Sequence, residues 1–349
     1  MTHELKTGGD RGYKRIATEE AFATREQIDG YLRLVREGKA DRGVTSLWGF
    51  YAQSPSERAR LVIERLLDLG ERRIADMDTT GIDLAILSLT APGVQAFEAE
   101  EAKAMVVRAN DHLADAVARF PDRYVGMTSI APQDPLWSMH EIVRGKELGF
   151  KGVMVNSHTH GEYLDAPRFD PILRACAEVD QLLYIHPQSP PDRMIGPMVE
   201  AGLDGAIFGF GVEVGLHLLR IITSGVFDRY PSLQIAVGHM GEALPFWLYR
   251  LDYMHRATVR SQRYEAIKPL KKTLFDYMRE NVLITTSGMA WAPAIKFSQE
   301  VLGADRVLYA MDYPYEYEPD EVRTHDLLDI SDEDKKKLMQ TNAERVFKL

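Results

Sequence analysis

One cysteine in 349 residues rules out an intrachain disulfide, so packing alone must hold the fold. That residue, Cys176, lies in the helix-like stretch Ile172 to Ala177 and reads as a packed side chain rather than a nucleophile. Long apolar runs are missing too. Nothing approaches the roughly 20 residues that a membrane helix requires, and Met1 to Asp10 carry no apolar signal core, which leads us to expect a cytoplasmic protein. Basic residues are in deficit: 42 Lys and Arg against 52 Asp and Glu leave a formal charge of -10. A nucleic-acid or anionic-membrane binder normally shows the opposite balance, so a small-molecule ligand is expected. No repeat, low-complexity tract or linker breaks the chain. We therefore expect a disordered N-terminus over residues 1–13 and one domain over 14–349.

What is present is a regular alternation. Eight short apolar runs, 15–19, 84–89, 124–130, 152–156, 182–186, 234–239, 282–286 and 307–312, read as buried parallel strands, being rich in Val, Ile and Leu and followed by turn residues. Helix-period stretches lie between them: 57–80, 98–120, 136–148, 169–179, 214–224, 244–259, 272–279 and 292–302. Eight strands interleaved with eight helices predict an α/β fold, a (β/α)8 TIM barrel. Ser331-Asp332-Glu333-Asp334 resembles a capping box and predicts a C-terminal helix packed on the barrel exterior. Two connections exceed the usual length and are expected to act as lid-like insertions: 22–56, with Trp48, Phe50 and Tyr51, and the Pro- and Gly-rich 187–211. Their aromatics either shield a flat substrate or anchor the loop.

Four runs end on side chains that bind metals: Glu19, His186, His239 and Asp312. In a closed parallel barrel all strand C-termini open on one face, so these residues meet there. Glu19, His186 and Asp312 form an oxygen and nitrogen ligand set for one divalent ion, hard enough to favour Mn2+, with Zn2+ the alternative. Each also admits a structural role: Glu19 as a helix cap, His186 as a core histidine, Asp312 as the start of a turn before Pro314. Coincidence at four strand ends is the weaker explanation. His158-Thr159-His160 offers a second histidine pair, but it follows the fourth strand and reads as a turn pinned by histidine hydrogen bonds.

The stretches 17–22 (ATEEAF), 152–165 (GVMVNSHTHGEYLD), 184–187 (YIHP), 238–242 (GHMGE) and 311–316 (MDYPYE) resemble the amidohydrolase-related metal-dependent decarboxylases, the group of aminocarboxymuconate semialdehyde and dihydroxybenzoate decarboxylases. The resemblance runs essentially full length, to 341–347. It implies ligand roles for Glu19, His186 and Asp312, a catalytic or orienting role near the metal for His239, and no organic cofactor. Many members carry histidine two positions beyond the first ligand, where this chain has Ala21, so a three-ligand centre with extra open positions is implied. Lys151 precedes the fourth strand, at the wrong end to bridge two metals, which implies a mononuclear site.

The implied activity is non-oxidative decarboxylation of an ortho-hydroxy aromatic acid, 5-carboxyvanillate to vanillate, in breakdown of lignin-derived aromatics. Direct loss of CO2 would leave an aryl carbanion without delocalisation. Protonating the ring carbon first removes that barrier, and an ortho oxygen pushes electron density to that carbon. Asp312 is the preferred proton donor and His239 its rival. Arg58 and Arg250 are candidate clamps for substrate carboxylates, with Arg250 supplied by a neighbouring subunit of a homodimer on family analogy. Tyr51, Thr90 and Tyr315 are further pocket candidates. The competing reading is a metal-dependent hydrolase of a lactone, ester or amide on the same barrel.

Overall fold

The structure, a computed structural model, describes residues 11–349. Eight parallel strands follow one another around a single sheet: β1 (Ile16–Phe22), β2 (Leu84–Leu89), β3 (Tyr124–Ser129), β4 (Gly152–Val155), β5 (Leu182–Ile185), β6 (Ile235–Val237), β7 (Val282–Thr285) and β8 (Val307–Leu308). Every strand is almost wholly buried, as their unbroken Val, Ile and Leu content requires when both faces are covered. The β1–β8 seam is joined by backbone bonds from Thr18 N to Tyr309 O at 3.1 Å and Ala21 N to Tyr313 O at 2.7 Å. The (β/α)8 barrel expected from the alternation is the architecture found.

Two hydrophobic cores result. The lumen is filled by Ile16, Ile86, Met127, Met154, Leu182, Tyr184, Ala236, Leu283 and Leu308, one or two from each strand. A larger shell, including Phe22, Leu89, Leu113, Ile185, Leu218 and Val307, fills the space between strands and helices.

Three expectations need correction. The helix read across 57–80 is two, Glu57–Leu66 and Glu71–Thr80, because Asp68 Oδ1 accepts from the backbone N–H groups of Gly70 (2.9 Å) and Arg73 (3.3 Å) and turns the chain. The C-terminal helix lies on the barrel's outer wall only over its first part, where Leu338 and Met339 join the shell cluster. Ala343 and Phe347 join the lumen cluster and close its floor, with the Phe347 ring under Gly152 at the start of β4. That helix is also interrupted by a wide turn at Lys337–Thr341, which frees the Leu338 carbonyl to accept from Tyr309 N at 3.0 Å just beyond β8.

The lid-like insertions are themselves helical. Residues 22–56 contain helices Arg25–Arg36 and Arg42–Gln53, and 187–211 contains Asp192–Ala201. Trp48 is an anchor: fully buried, its ring lies 4.6 Å from Tyr31 and 5.6 Å from Tyr51. Of the expected N-terminal tail, residues 1–10 lie outside the described part, and Arg11 pairs with Asp83. Among the described residues no helix is long and apolar enough to cross a membrane.

Candidate metal centre at the barrel mouth

Glu19 lies within β1 rather than at its end. The β1–β2 register slips between Ala17 and Glu20, a bulge that turns the Glu19 carboxylate into the barrel mouth. His186 follows β5, His239 follows β6 and Asp312 lies beyond β8, so the barrel brings together four residues spread over almost 300 positions. Ligand atoms of Glu19, His186 and Asp312 all fall within 4.8 Å of one another.

His186 Nδ1 lies 2.7 Å from the Pro187 carbonyl, which can only accept, so Nδ1 donates there and Nε2 is the ring atom turned to the mouth. Nε2 lies 3.5 Å from Glu19 Oε1, and Oε1, fully buried, receives no hydrogen bond. A buried carboxylate oxygen without a donor, beside an imidazole nitrogen and a second carboxylate, fits a cation, and the donor set fits a divalent ion.

His239 Nδ1 donates to Glu242 Oε1 at 2.8 Å, while Nε2 lies 3.8 Å from Asp312 Oδ2 and 3.9 Å from Glu19 Oε1. Burial opposes a charge on this imidazole, but the Glu242, Asp312 and Glu19 carboxylates outweigh it and lift His239 well above its ordinary value. Burial likewise lifts Asp312 to about 6, with the Glu19 charge adding to the lift and the His239 hydrogen bond working against it. Glu19 moves the other way, since His239, His186 and hydroxyl donors overcome its burial. A divalent ion at this point would hold both carboxylates ionised.

His239 (φ 48°) and Asp312 (φ 66°) both occupy the left-handed region, which costs a non-glycine residue of order 1–3 kcal/mol and is characteristic of functional sites. The Asp312 turn is held by Glu20, whose carboxylate accepts from Met311 N at 3.0 Å and Tyr313 N at 3.3 Å on either side.

The pocket candidates divide. Thr90 Oγ1 lies 2.6 Å from the Tyr315 hydroxyl, and Tyr51 meets Tyr315 edge-on with ring centroids 6.4 Å apart, so the three form one wall beside Asp312. Arg58 is exposed at the rim and donates to the Tyr315 carbonyl at 2.8 Å. Arg250 is not brought to this mouth within the chain. It lies on an outward face of helix Leu244–Ser261, lining a cavity with Leu219, Trp247 and Met254. His158 is buried, donates to Ser189 O at 3.1 Å and accepts from Gly161 N at 3.2 Å, the pinned turn expected from sequence. Ala21 packs in the shell cluster and offers no ligand atom.

Sequence reasoning passed over Tyr184, Thr285, Ser287, Glu20 and Glu242. The Tyr184 hydroxyl and Thr285 Oγ1 both donate to Glu19 Oε2, the latter at 2.7 Å, and Ser287 Oγ accepts from His239 N at 3.0 Å. Spacing did carry a signal: Tyr184 is two residues before His186, and Thr285 and Ser287 alternate off the end of β7, which puts each pair on one face.

The family model described as Amidohydrolase matches residues 47–349. The chain belongs to the amidohydrolase family. Its fold is similar to 5-carboxyvanillate decarboxylase from Novosphingobium aromaticivorans, complexed with manganese and 4-hydroxy-3-methoxy-5-nitrobenzoic acid, at TM-score 0.99 and 69% identity over 100% of both chains. The 5-carboxyvanillate decarboxylase of Sphingomonas paucimobilis matches at TM-score 0.91 and 38% identity, covering 97% of this chain and 99% of that one. Among amidohydrolase relatives by sequence, gamma-resorcylate decarboxylase of Polaromonas sp. strain JS666 is 37% identical over 344 residues, 96% of this chain and 98% of that protein.

Proposed function

We propose that this protein is a metal-dependent carboxy-lyase that converts 5-carboxyvanillate to vanillate without oxidation. The observation that carries the reading is the mouth centre itself: ligand atoms of Glu19, His186 and Asp312 within 4.8 Å of one another, with the buried Glu19 Oε1 receiving no hydrogen bond and lying 3.5 Å from His186 Nε2. The full-length likeness to a manganese-containing 5-carboxyvanillate decarboxylase supports both the ion and the substrate.

Glu19, His186 and Asp312 would hold one divalent ion, Mn2+ for preference, which would supply positive charge to an anionic substrate without an organic cofactor. Asp312, loosened from the ion as it takes up a proton from His239, would then deliver that proton to the ring carbon bearing the carboxylate. The bond to the carboxyl carbon breaks, its electron pair returns to the ring, and CO2 departs. His239, in contact with Asp312 and held by Glu242, orients that carboxyl and returns its proton. The wall of Tyr51, Thr90 and Tyr315 bounds the ring, and Arg58 at the rim clamps the second carboxylate.

Arg250 reaches a site only from another copy, and its surroundings favour one. Phe246, Trp247, Tyr249 and Tyr253 on the same helix are all more than half exposed, an apolar face of the kind that mediates association. We place the enzyme as a homodimer in the cytoplasm, each subunit lending Arg250 to its neighbour.

The test is CO2 release, followed with ultraviolet spectra, from Mn2+-loaded protein given 5-carboxyvanillate, with 2,3- and 2,6-dihydroxybenzoate and chelated protein as controls. Metal-dependent CO2 release fastest with 5-carboxyvanillate is expected. No release from any substrate despite bound metal would end this reading and favour a hydrolase.

A further inference from the structure

The two oxygens of Glu19 are treated differently by the fold. Oε2 receives hydrogen bonds from the Tyr184 hydroxyl and from Thr285 Oγ1, while Oε1 receives none and points at His186 and His239. The donors form an ordered chain. Thr285 has one proton and gives it to Glu19, so at 2.9 Å it accepts from Ser287, whose oxygen in turn accepts the backbone N–H of His239. One directed series of hydrogen bonds therefore links the His239 backbone to the Glu19 carboxylate. Its side chains stand on β5, β7 and the residues just beyond, all fully buried.

Gly238 leaves the place that the carboxylate occupies: a Cβ there would lie 2.8 Å from Oε1, 2.9 Å from Oε2 and 3.0 Å from Ser287 Oγ, so hydrogen bonds rather than a side-chain wall fix which oxygen faces the mouth. Had Oε2 been left bare it could turn toward the ion as a second ligand oxygen. A substrate presenting a carboxylate and an adjacent oxygen needs two open positions, and a two-oxygen Glu19 would take one of them.

We infer that Tyr184, Thr285 and Ser287 form a hydroxyl cradle that confines Glu19 to ligation through Oε1 and thereby reserves coordination positions for substrate. The inference rests on the metal-dependent reading above. The three are positioning residues, acting through Glu19 rather than on the reacting atoms, and partners of this kind commonly control metal affinity by 10–100-fold.

Tyr184→Phe and Thr285→Val each remove a donor with little change of shape, so either alone suffices if the other fails to fold. Mn2+ is titrated into chelator-stripped protein, free ion being followed by electron paramagnetic resonance, and water-proton relaxation reports the waters on the bound ion. The expected result is weaker relaxation, as the second oxygen of Glu19 displaces a water, with a dissociation constant shifted by up to roughly 10–100-fold. Folded variants with the affinity and relaxation of the wild type would overturn the inference alone. Wild-type protein that takes up no Mn2+ would overturn the metal reading and the inference with it.

Discussion

At the scale of single residues, the mouth is a set of groups whose charges are decided by neighbours far away in the chain. Asp312 is the sharpest case. It is buried, sits at positive φ between two N–H groups held by Glu20, and its carboxyl is raised to about 6 beside His239. Replacing Asp312 by Asn keeps the shape and one ligand oxygen but removes the transferable proton. Turnover is expected to fall by roughly 10²–10⁴, the usual worth of a positioned acid, while Mn2+ and substrate still bind. Steady-state rates beside a binding titration check this, and near-normal turnover would shift the proton to His239.

At the scale of elements, the barrel's two ends do different work. The C-terminal ends carry the site, and the other end is sealed by the last helix, whose Phe347 is 1% exposed in the lumen cluster. Phe347→Ala opens a cavity beneath β4 and is expected to destabilise the protein by about 3–5 kcal/mol, lowering the melting temperature without altering KM for substrate in the protein that remains folded. Thermal unfolding and kinetics at low temperature separate the two effects. The interrupted part of the C-terminal helix supports β8 from outside, for its freed Leu338 carbonyl accepts from Tyr309 N just beyond that two-residue strand.

At the scale of the whole molecule, buried titratable groups away from the mouth set the pH range of the fold. Burial lowers His158 to about 4, His217 to about 3 and His325 to about 4, so each is neutral in the native state and takes up a proton more readily when unfolded. Their contribution is complete above the ordinary histidine value and is lost as pH falls from about 6.5 toward 3. Glu213 has the opposite sign. Burial raises it to about 8, so the folded state holds its proton, and the stability gained is lost as pH rises from about 4.5 through 8. Melting temperatures across pH should fall on both sides, and Glu213→Gln, which imitates the protonated acid, should flatten the alkaline side only. Association is tested by subunit exchange: Arg250→Ala and Asp312→Asn proteins, each nearly inactive, should regain activity when mixed, because the mixed dimer contains one site with both residues intact. Mixtures that stay inactive while exchanging subunits would place Arg250 outside the site.

Read alone, the sequence determined the barrel and pointed to the candidate ligands that the fold brings together. The strands are buried on both faces and so appear as unbroken apolar runs, and a polar side chain of metal-binding type at the end of such a run stands out at Glu19, His186, His239 and Asp312. Local hydrogen bonds broke the expected continuity elsewhere, as at Asp68, where one carboxylate divides a helix-period stretch. Only the tertiary structure decided what surrounds the ligands. Tyr184, Thr285 and Ser287 are ordinary strand residues until the closed sheet points them at Glu19, and Glu20 differs from Glu19 only through a bulge that turns one carboxylate inward and leaves the other to hold the Asp312 turn. Arg250 shows the same division between chain and space, because its helix was legible from periodicity but its outward direction follows from how that helix packs. Periodicity reports which face of an element is buried, whereas contacts between elements depend on barrel closure and register, which no local pattern encodes.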